Sequence, residues 1–203
     1  MAHDLTLDDA AKTLRDARRV MVIGVSGSGK STLSKSIAAH LGADYISIDR
    51  DVTWMPGWQL RAPDARRAKM TPLLAADRWV MDGTYTGTFD LRLPLVDLVI
   101  WLRPRRVSAL WGVVRRVWRH HGTVRDDMAE GCPEKWPDAE FLNYIWWFER
   151  KHAPRVAAAL DRHRPDVPLV TLRNHAESAQ LLAKAFAPTP QELTPHQPYR
   201  ARF

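Results

Sequence analysis

A phosphate-binding loop signature near the N-terminus constrains the fold more than any other stretch. Residues 19–33 read RVMVIGVSGSGKSTL, in which a short apolar run leads into G-x-x-x-x-G-K-S and a helix-like segment follows. This strand-to-helix setting is the one in which the signature binds phosphate. Glycines let the backbone turn and approach an anion closely, and the amides at the helix N-terminus favour negative charge. The sequence therefore predicts a nucleoside triphosphate site.

The residues of this loop have distinct expected roles. Lys30 is expected to reach the β- and γ-phosphates, and the Ser31 hydroxyl is expected to ligate Mg²⁺. The other predicted nucleotide-binding residues of the loop are Gly24, Ser26, Gly27, Ser28, Gly29 and Thr32. The predicted cofactors are therefore ATP and Mg²⁺.

Length and composition indicate one α/β domain. The 203 residues can bury a sizeable core, which we assign to 1–187, followed by a proline-rich tail at 188–203. A single cysteine, Cys132, excludes a disulfide framework and favours a reducing compartment. The N-terminus is polar rather than signal-like, and no apolar run reaches the roughly 18 residues of a membrane span. We expect a cytoplasmic protein without membrane attachment.

The charge of the chain points to anionic ligands. The formal net charge is +7, and most of its basic residues are arginine, whose planar guanidinium matches phosphate in a bidentate manner. Nucleotides and nucleic acids are both anionic ligands that carry phosphate. Charge alone therefore does not choose between them.

Strands alternating with helices predict a parallel sheet with right-handed crossovers. The predicted strands lie near 19–24, 43–49, 79–81, 95–102 and 167–172. Ligands of such sheets bind beyond the carboxyl ends of the strands. The phosphate loop, Asp49 and Asp82 all fall at that edge, and their convergence strengthens the prediction of a site there.

Acidic residues at this edge are candidates for metal binding and for catalysis. Asp82 ends a strand, as does the acid that holds Mg²⁺ in phosphate-loop enzymes. Asp97 begins a strand, at the wrong end of the sheet, and is rejected. Asp49 is the candidate base for an acceptor hydroxyl, and Asp51 is near enough in sequence to exchange roles with it.

Arginine and tryptophan side chains supply further candidates. Phosphoryl transfer depends on positioning and on neutralising charge, so a set of arginines is expected to clamp the phosphates: Arg92, Arg115, Arg119 and Arg125, with Arg150 and Arg155 behind them. Trp54 and Trp58 are candidates for stacking on the acceptor. The helix-spaced tryptophans are expected in the core: Trp111, Trp118, Trp146 and Trp147.

Several motifs together resemble one bacterial family. Beyond the phosphate loop these are W-x-P-G-W at 54–58, VMDGTY at 80–85, DLRLP at 90–94 and RDDMAEGCPEKW at 125–136, leading into FLNYIWWF. They are similar to the adenylate-kinase-like proteins often labelled DNA topology modulation proteins. The resemblance implies a nucleoside-monophosphate-kinase-like fold with five parallel strands in the order 2-3-1-4-5. It also implies a mobile lid, here about 121–136.

The resemblance carries roles onto particular positions. Asp82 and Gly83 match the acid-glycine pair that ends the third strand of those kinases, which places Gly83 at the acceptor. Arg115 and Arg119 fall on the helix leading into the lid, and Arg125 falls in the lid. The adenylate kinase motif D-G-F-P-R reads DGTYT at 82–86 here, so its arginine is missing and Arg92 is the candidate substitute.

These observations predict a Mg-ATP-dependent kinase. Its acceptor is expected to be a small molecule with a hydroxyl or phosphate, a nucleoside or nucleotide first, and the chain is expected to act as a monomer or homodimer. A nucleic-acid-associated protein that uses ATP as a switch is the alternative. A toxin-like or antibiotic-modifying phosphotransferase would share the loop and the base and differ only in its acceptor.

Overall fold

The computed structural model describes residues 3–187, and the predicted tail at 188–203 lies outside the described residues. The strands are β1 (His3–Asp4), β2 (Arg19–Gly24), β3 (Asp44–Ser47), β4 (Trp54–Met55), β5 (Gln59–Leu60), β6 (Trp79–Asp82), β7 (Leu98–Leu102) and β8 (Pro168–Leu172). The α-helices are α1 (Leu7–Asp16), α2 (Lys30–Leu41), α3 (Pro63–Leu73), α4 (Phe89–Arg92), α5 (Arg106–His120), α6 (Ala139–Trp147), α7 (Ala153–His163) and α8 (His175–Phe186).

The main sheet is parallel throughout, in the order β3-β6-β2-β7-β8-β1. Its first five strands have the predicted order 2-3-1-4-5, so the fold class is confirmed. The edge strand β1 was not predicted, since two residues are too few to show an alternating pattern. The register pairs Val22 with Asp82 and Gly24 with Leu102, and it brings the ends of β2, β6 and β7 together at one edge.

Helices cover both faces of the sheet, which explains why its strands are almost continuously apolar. In β2, Met21 and Ile23 face a core formed with α5, α6 and α7, whereas Val20 and Val22 face a core formed with α1, α2 and α8. The result is a three-layer α/β fold. Among residues 3–187, no helix combines the length and apolarity that crossing a membrane would require.

Local sequence signals account for the main boundaries. Helix α2 begins after Gly29 and ends before Gly42, and both glycines are left-handed, with φ of 91° and 57°. After β3 the chain forms a π-helical turn, Ile48–Thr53, which is followed by the antiparallel β4–β5 hairpin. A second π-helical turn, Phe148–His152, separates α6 from α7, and Pro154 lies in the first turn of α7.

The prediction of a tryptophan core is wrong for α5 and α6. Trp111, Trp118 and Trp146 are 66%, 79% and 39% exposed, and Trp147 is only partly buried. The buried stripe of α5 consists instead of small residues, Ala109, Val113 and Val117. Apolar residues on two sides of this helix satisfy the same 3.6-residue period, and the sheet takes the side that allows a close approach.

Candidate active site

The phosphate loop connects β2 to α2 at the carboxyl edge of the sheet. Gly24, Gly27 and Gly29 have φ values of 146°, 78° and 91°, which other residues adopt only at a cost. The Lys30 ammonium group donates to the Val25 carbonyl oxygen at 3.0 Å, so it lies across the loop. The geometry agrees with a loop built to surround phosphate, with its lysine at the binding surface.

Helix α5 packs against this loop, backbone to backbone. A Cβ atom on Gly112 would lie 2.2 Å from the Gly27 carbonyl oxygen, and one on Gly27 would lie 2.1 Å from the Ala109 carbonyl oxygen. Both contacts require glycine. Gly112 was not a predicted site residue, although a glycine inside a helical pattern is a signal of close packing.

Ser31 and Asp82 form the candidate magnesium site. The Ser31 hydroxyl donates to Asp82 Oδ2 at 2.5 Å, and the Tyr45 hydroxyl lies 3.4 Å from the same oxygen. Asp82 Oδ1 is buried with no hydrogen-bond partner. Burial raises the pKa of Asp82, and the Lys30 charge opposes that shift. A buried carboxylate oxygen without a partner beside a serine hydroxyl fits Mg²⁺, which prefers few protein ligands plus phosphate and water oxygens.

The metal site is sparse in protein ligands. Among residues 3–187, no group of three or more histidine, cysteine, aspartate or glutamate side chains could hold a metal ion. Such sparseness is expected where phosphates and water complete the coordination of Mg²⁺.

Asp49 and Asp51 differ clearly in their surroundings. The Asp51 carboxylate accepts from the Ser47 amide at 2.9 Å and from two nitrogens of Arg50 at 2.7 and 2.9 Å, which fastens the turn after β3. The carboxylate of Asp49 makes no hydrogen bond or ion pair to the described residues, and this side chain is accessible to solvent. Of the two carboxylates, only Asp49 is available to an acceptor, and the predicted acceptor role of Asp51 is not supported.

The pKa of Asp49 is raised although its side chain is accessible to solvent. Protein atoms surround this accessible side chain closely enough that desolvation raises its pKa. The Asp82 charge adds to this effect, whereas Lys30 and Arg125 oppose it. Asp49 therefore shares an electrostatic environment with the loop lysine, the metal-site acid and a lid arginine.

Arg116, rather than Arg115 or Arg119, lies against the phosphate loop. Its Nη1 donates to Ser26 Oγ at 3.1 Å, whereas Arg115 and Arg119 lie on the exposed side of α5. The structure thus corrects the choice of arginine. Arg116 lies four residues, about one helical turn, after Gly112, so it shares the face on which α5 contacts the loop.

The lid at 121–136 is joined to α5 through the carboxylate of Glu134. Glu134 accepts from Arg116 Nε at 2.9 Å, and its second oxygen is 2.8 Å from Arg125 Nε. Arg125 also pairs with Asp127 at 2.9 Å, and the Asp127 carbonyl accepts from Ser47 Oγ at 2.8 Å. Arg125 thus lies near the site as predicted, and Glu134 is a member that the sequence did not reveal. Mobility of the lid stays a prediction.

Trp54 and Trp58 pack beneath the lid. Their rings meet edge to face at 5.4 Å, and they contact a small core formed by Met128, Ala129 and Cys132. The Trp58 amide donates to Cys132 Sγ at 3.3 Å, and its indole donates to the Pro133 carbonyl at 3.1 Å. The β4–β5 hairpin and the lid therefore form one packed unit, and stacking of these rings on an acceptor stays a prediction.

The turn after β6 is hydrogen-bonded to the first glycine of the phosphate loop. Thr84 Oγ1 accepts from the Gly24 amide and donates to the Gly24 carbonyl, both at 2.8 Å. Gly83 has a φ of 140°, and a Cβ atom there would lie 2.5 Å from Ile48 Cβ. Thr84 was not a predicted site residue. It stands where the adenylate kinase motif has phenylalanine, which explains why the resemblance did not reveal it.

Arg92 holds the same turn rather than an acceptor. It is fully buried, and it donates to the Gly83 carbonyl at 3.1 Å and to the Tyr85 carbonyl at 2.6 Å. Burial lowers its pKa to about 9. The predicted substrate contact is therefore not supported, because both donors that face the turn are already engaged and the side chain is closed to solvent.

We expect Arg92→Ala to destabilise the protein. Two buried carbonyls would lose their donors and a cavity would remain, so the free energy of unfolding should fall by about 2–4 kcal/mol. For a domain of this size that is about 5–15 °C in melting temperature. Arg67→Ala is the control. It removes a partly exposed ion pair with Asp90 and should change the melting temperature little. An unchanged melting temperature with a raised acceptor KM would contradict the structural role.

Comparisons with known proteins yield distant structural similarity. The chain matches no protein-family model and no curated protein. Three similar solved structures are those of an Acinetobacter baumannii shikimate kinase in complex with shikimate, an M. mycoides deoxyadenosine kinase with bound dATP and a Sinorhizobium meliloti 1021 gluconokinase.

The measures of similarity are close to one another. The shikimate kinase is 14% identical with a TM-score of 0.46, covering 84% of this chain and 92% of that one. The deoxyadenosine kinase is 14% identical with a TM-score of 0.47, and the match covers 80% of this chain and 95% of that one. The gluconokinase is 19% identical with a TM-score of 0.45, and the match covers 82% of this chain and 90% of that one. At this distance the function of the chain has to be inferred from its own residues.

Proposed function

We propose that the protein is a Mg-ATP-dependent phosphotransferase that acts on a small acceptor with a hydroxyl or phosphate group. A nucleoside or nucleotide is the first acceptor to test. The observation that carries the proposal is the free Asp49 carboxylate in the same electrostatic environment as Lys30 and Asp82. A nucleotide switch needs a phosphate loop and a metal site, whereas transfer to a hydroxyl acceptor also calls for a group that receives the hydroxyl proton.

Each residue has a role in this reaction. The phosphate loop and Lys30 would bind the β- and γ-phosphates of ATP, and Ser31 and Asp82 would hold Mg²⁺, which supplies charge neutralisation at the phosphates. Asp49 would orient the acceptor hydroxyl and accept its proton. Arg116 and Arg125 would stabilise the charge on the transferred group.

The same residues support membership of the adenylate-kinase-like group named above, which we propose as the family of this chain. Ser31, Asp82 and Gly83 stand where that group has its nucleotide and metal residues. The departures at 84–86 and the burial of Arg92 point away from AMP as the acceptor, because the expected phosphate-binding arginine is absent. We therefore expect an acceptor other than AMP.

The test is phosphate transfer from Mg-ATP to a panel of nucleosides, nucleoside monophosphates and small sugars, read by mass spectrometry. We expect one acceptor class to gain 80 Da, the mass of a transferred phosphoryl group, and Lys30→Ala to abolish that product. Lys35→Ala is the matched control, since Lys35 lies on the same helix and pairs with Asp126 of the lid. Nucleotide binding without any product in a broad metabolite extract would contradict the proposal.

The nucleic-acid alternative is tested with the same protein. A duplex-binding regulator predicts an affinity whose logarithm falls steeply with the logarithm of salt concentration, because each phosphate contact releases counterions. ATP hydrolysis without a phosphorylated acceptor, together with such salt-dependent binding, would favour it over the kinase.

A further inference from the structure

Large exposed apolar side chains are concentrated in one region of the surface. Among residues 4–187, all of them except Leu60 lie between 107 and 146. We define the tryptophan face as Val107, Trp111, Val114 and Trp118 on α5, Leu142 and Trp146 on α6, and Trp136 just before α6. None of these residues takes part in the nucleotide site described above.

Two contacts place members of this face beside the ends of α5. The α5 residues follow one another at intervals of four, three and four, so they form a stripe on the side of the helix opposite the buried Ala109, Val113 and Val117. At the start of α5, the Arg106 guanidinium lies 4.0 Å from the Trp146 ring centroid. At its end, His121 lies 6.1 Å from Trp136, ring to ring.

The area of the tryptophan face reaches the upper end of what a soluble monomer ordinarily exposes as one apolar patch. The four indoles are 66%, 79%, 60% and 39% exposed, which corresponds to about 600 Å² if each presents about 250 Å². The largest apolar patch of a typical monomer is about 300–600 Å² in total. A standard protein interface buries about 800 Å² on each partner. The exposed area of this face, once its valine and leucine members are added to the indoles, is comparable with that value.

We propose that the tryptophan face is the interface of a homodimer, in which α5 packs against α5 of a second copy. A stripe spaced four, three, four is the pattern by which two helices pair, and a twofold axis brings one patch against itself. Arg115 and Arg119 flank the stripe on its exposed side, where they would form a solvated rim. Tryptophan and arginine are among the residues most enriched at such interfaces.

Other occupants fit the structure less well. An anionic membrane would suit the arginine rim, but the stripe has the narrow width of a helix-pairing seam. The tail at 188–203 follows α8, which lies on the opposite side of the sheet from α5. A dimer also has a consequence for the site, because the inner side of α5 contacts the phosphate loop through Gly112 and Arg116.

Analytical ultracentrifugation of the full chain tests the proposal. The wild-type protein should sediment as a dimer of the 23.2 kDa chain, and the double variant Trp111→Glu/Trp118→Glu should sediment as a monomer. The matched control is Leu60→Glu, which places the same charge on an exposed apolar residue outside the face and should stay dimeric. Circular dichroism checks that each variant is folded. If the glutamate double variant fails to fold, the uncharged double variant Trp111→Gln/Trp118→Gln takes its place.

Three results would overturn the proposal. The first is a dimer that persists in the folded double variant. The second is a monomeric wild type, whose co-sedimentation with phosphatidylglycerol vesicles but not with phosphatidylcholine vesicles would in addition assign the face to a membrane. The third is a monomeric full chain whose counterpart ending at residue 187 dimerises, which would show that the tail covers the face.

Discussion

Replacing Asp49 with asparagine should lower the rate of phosphoryl transfer by about 10²–10⁴-fold, the range that a general base contributes. The affinity for ATP should change little, because Asp49 is not part of the phosphate loop. Single-turnover kinetics with the acceptor identified by the panel, and nucleotide titration of the same protein, measure the two quantities separately. The effect is large because the structure offers one free carboxylate, and not two, to the acceptor.

Asp51→Asn is the matched control for this substitution. Its carboxylate is engaged by Arg50 and by the Ser47 amide, so we expect a loss of stability and a much smaller loss of rate. The pH profile gives a further check. Because the pKa of Asp49 is raised, kcat/KM should fall on the acid side at a pH above the ordinary value for aspartate, and this limb should be absent from Asp49→Asn. A larger rate loss in Asp51→Asn would reverse the assignment.

Replacing Asp82 with asparagine should have two opposite effects. Mg²⁺-dependent activity should be lost, because the buried oxygen that would hold the ion no longer carries charge. The free protein should become more stable at neutral pH, by about 1 kcal/mol or about 2–4 °C in melting temperature. The sign follows from the pKa of Asp82, which burial raises above its ordinary value of 3.8. The folded protein therefore holds the proton more tightly, and ionisation at higher pH costs stability.

Thermal unfolding as a function of pH measures this effect. The wild-type stability contributed by Asp82 should decline as the pH rises from 3.8 through the folded-state pKa, and this decline should be absent from Asp82→Asn. Asp97→Asn is the control, since that carboxylate accepts from the Arg18 and Arg19 amides at 2.8 and 2.9 Å at the opposite end of the sheet. It should lower stability and leave the Mg²⁺ dependence intact. A less stable Asp82→Asn protein would contradict the prediction.

The sequence was most informative where local chemistry dictates the structure. The phosphate loop needs residues without Cβ at set positions, and Asp82 follows directly from the end of a strand, so both could be recognised without the fold. Asp97 was correctly excluded by the same reasoning. The strand order followed from the resemblance and is confirmed by the structure.

The remaining residues depend on contacts between distant segments. Arg116 differs from its neighbour Arg115 by about 100° of rotation around α5, and only the docking of Gly112 onto Gly27 decides which of them meets the loop. Glu134 lies in the lid, and the backbone path of the lid brings it to the site. The lid sequence has no helical or strand period from which that path could be predicted. Arg92 looks like a phosphate ligand in sequence, whereas its neighbours in space are carbonyl oxygens. The position of Asp49 was predicted, but its freedom from partners is visible only in the structure.

The carboxylate of Glu134 bridges Arg116 and Arg125, and it is almost fully buried. A phosphate that pairs with these arginines must first displace an anion that belongs to the chain itself. In the proposed reaction, nucleotide binding at this pair would exchange one anion for another and would require the lid to move. Because this exchange would change the net charge around the arginines little, they should add less salt sensitivity to nucleotide affinity than two free cations would. The proposed kinase would thereby distinguish ATP from simple anions, since only a ligand that also fills the phosphate loop could compensate for the displaced glutamate.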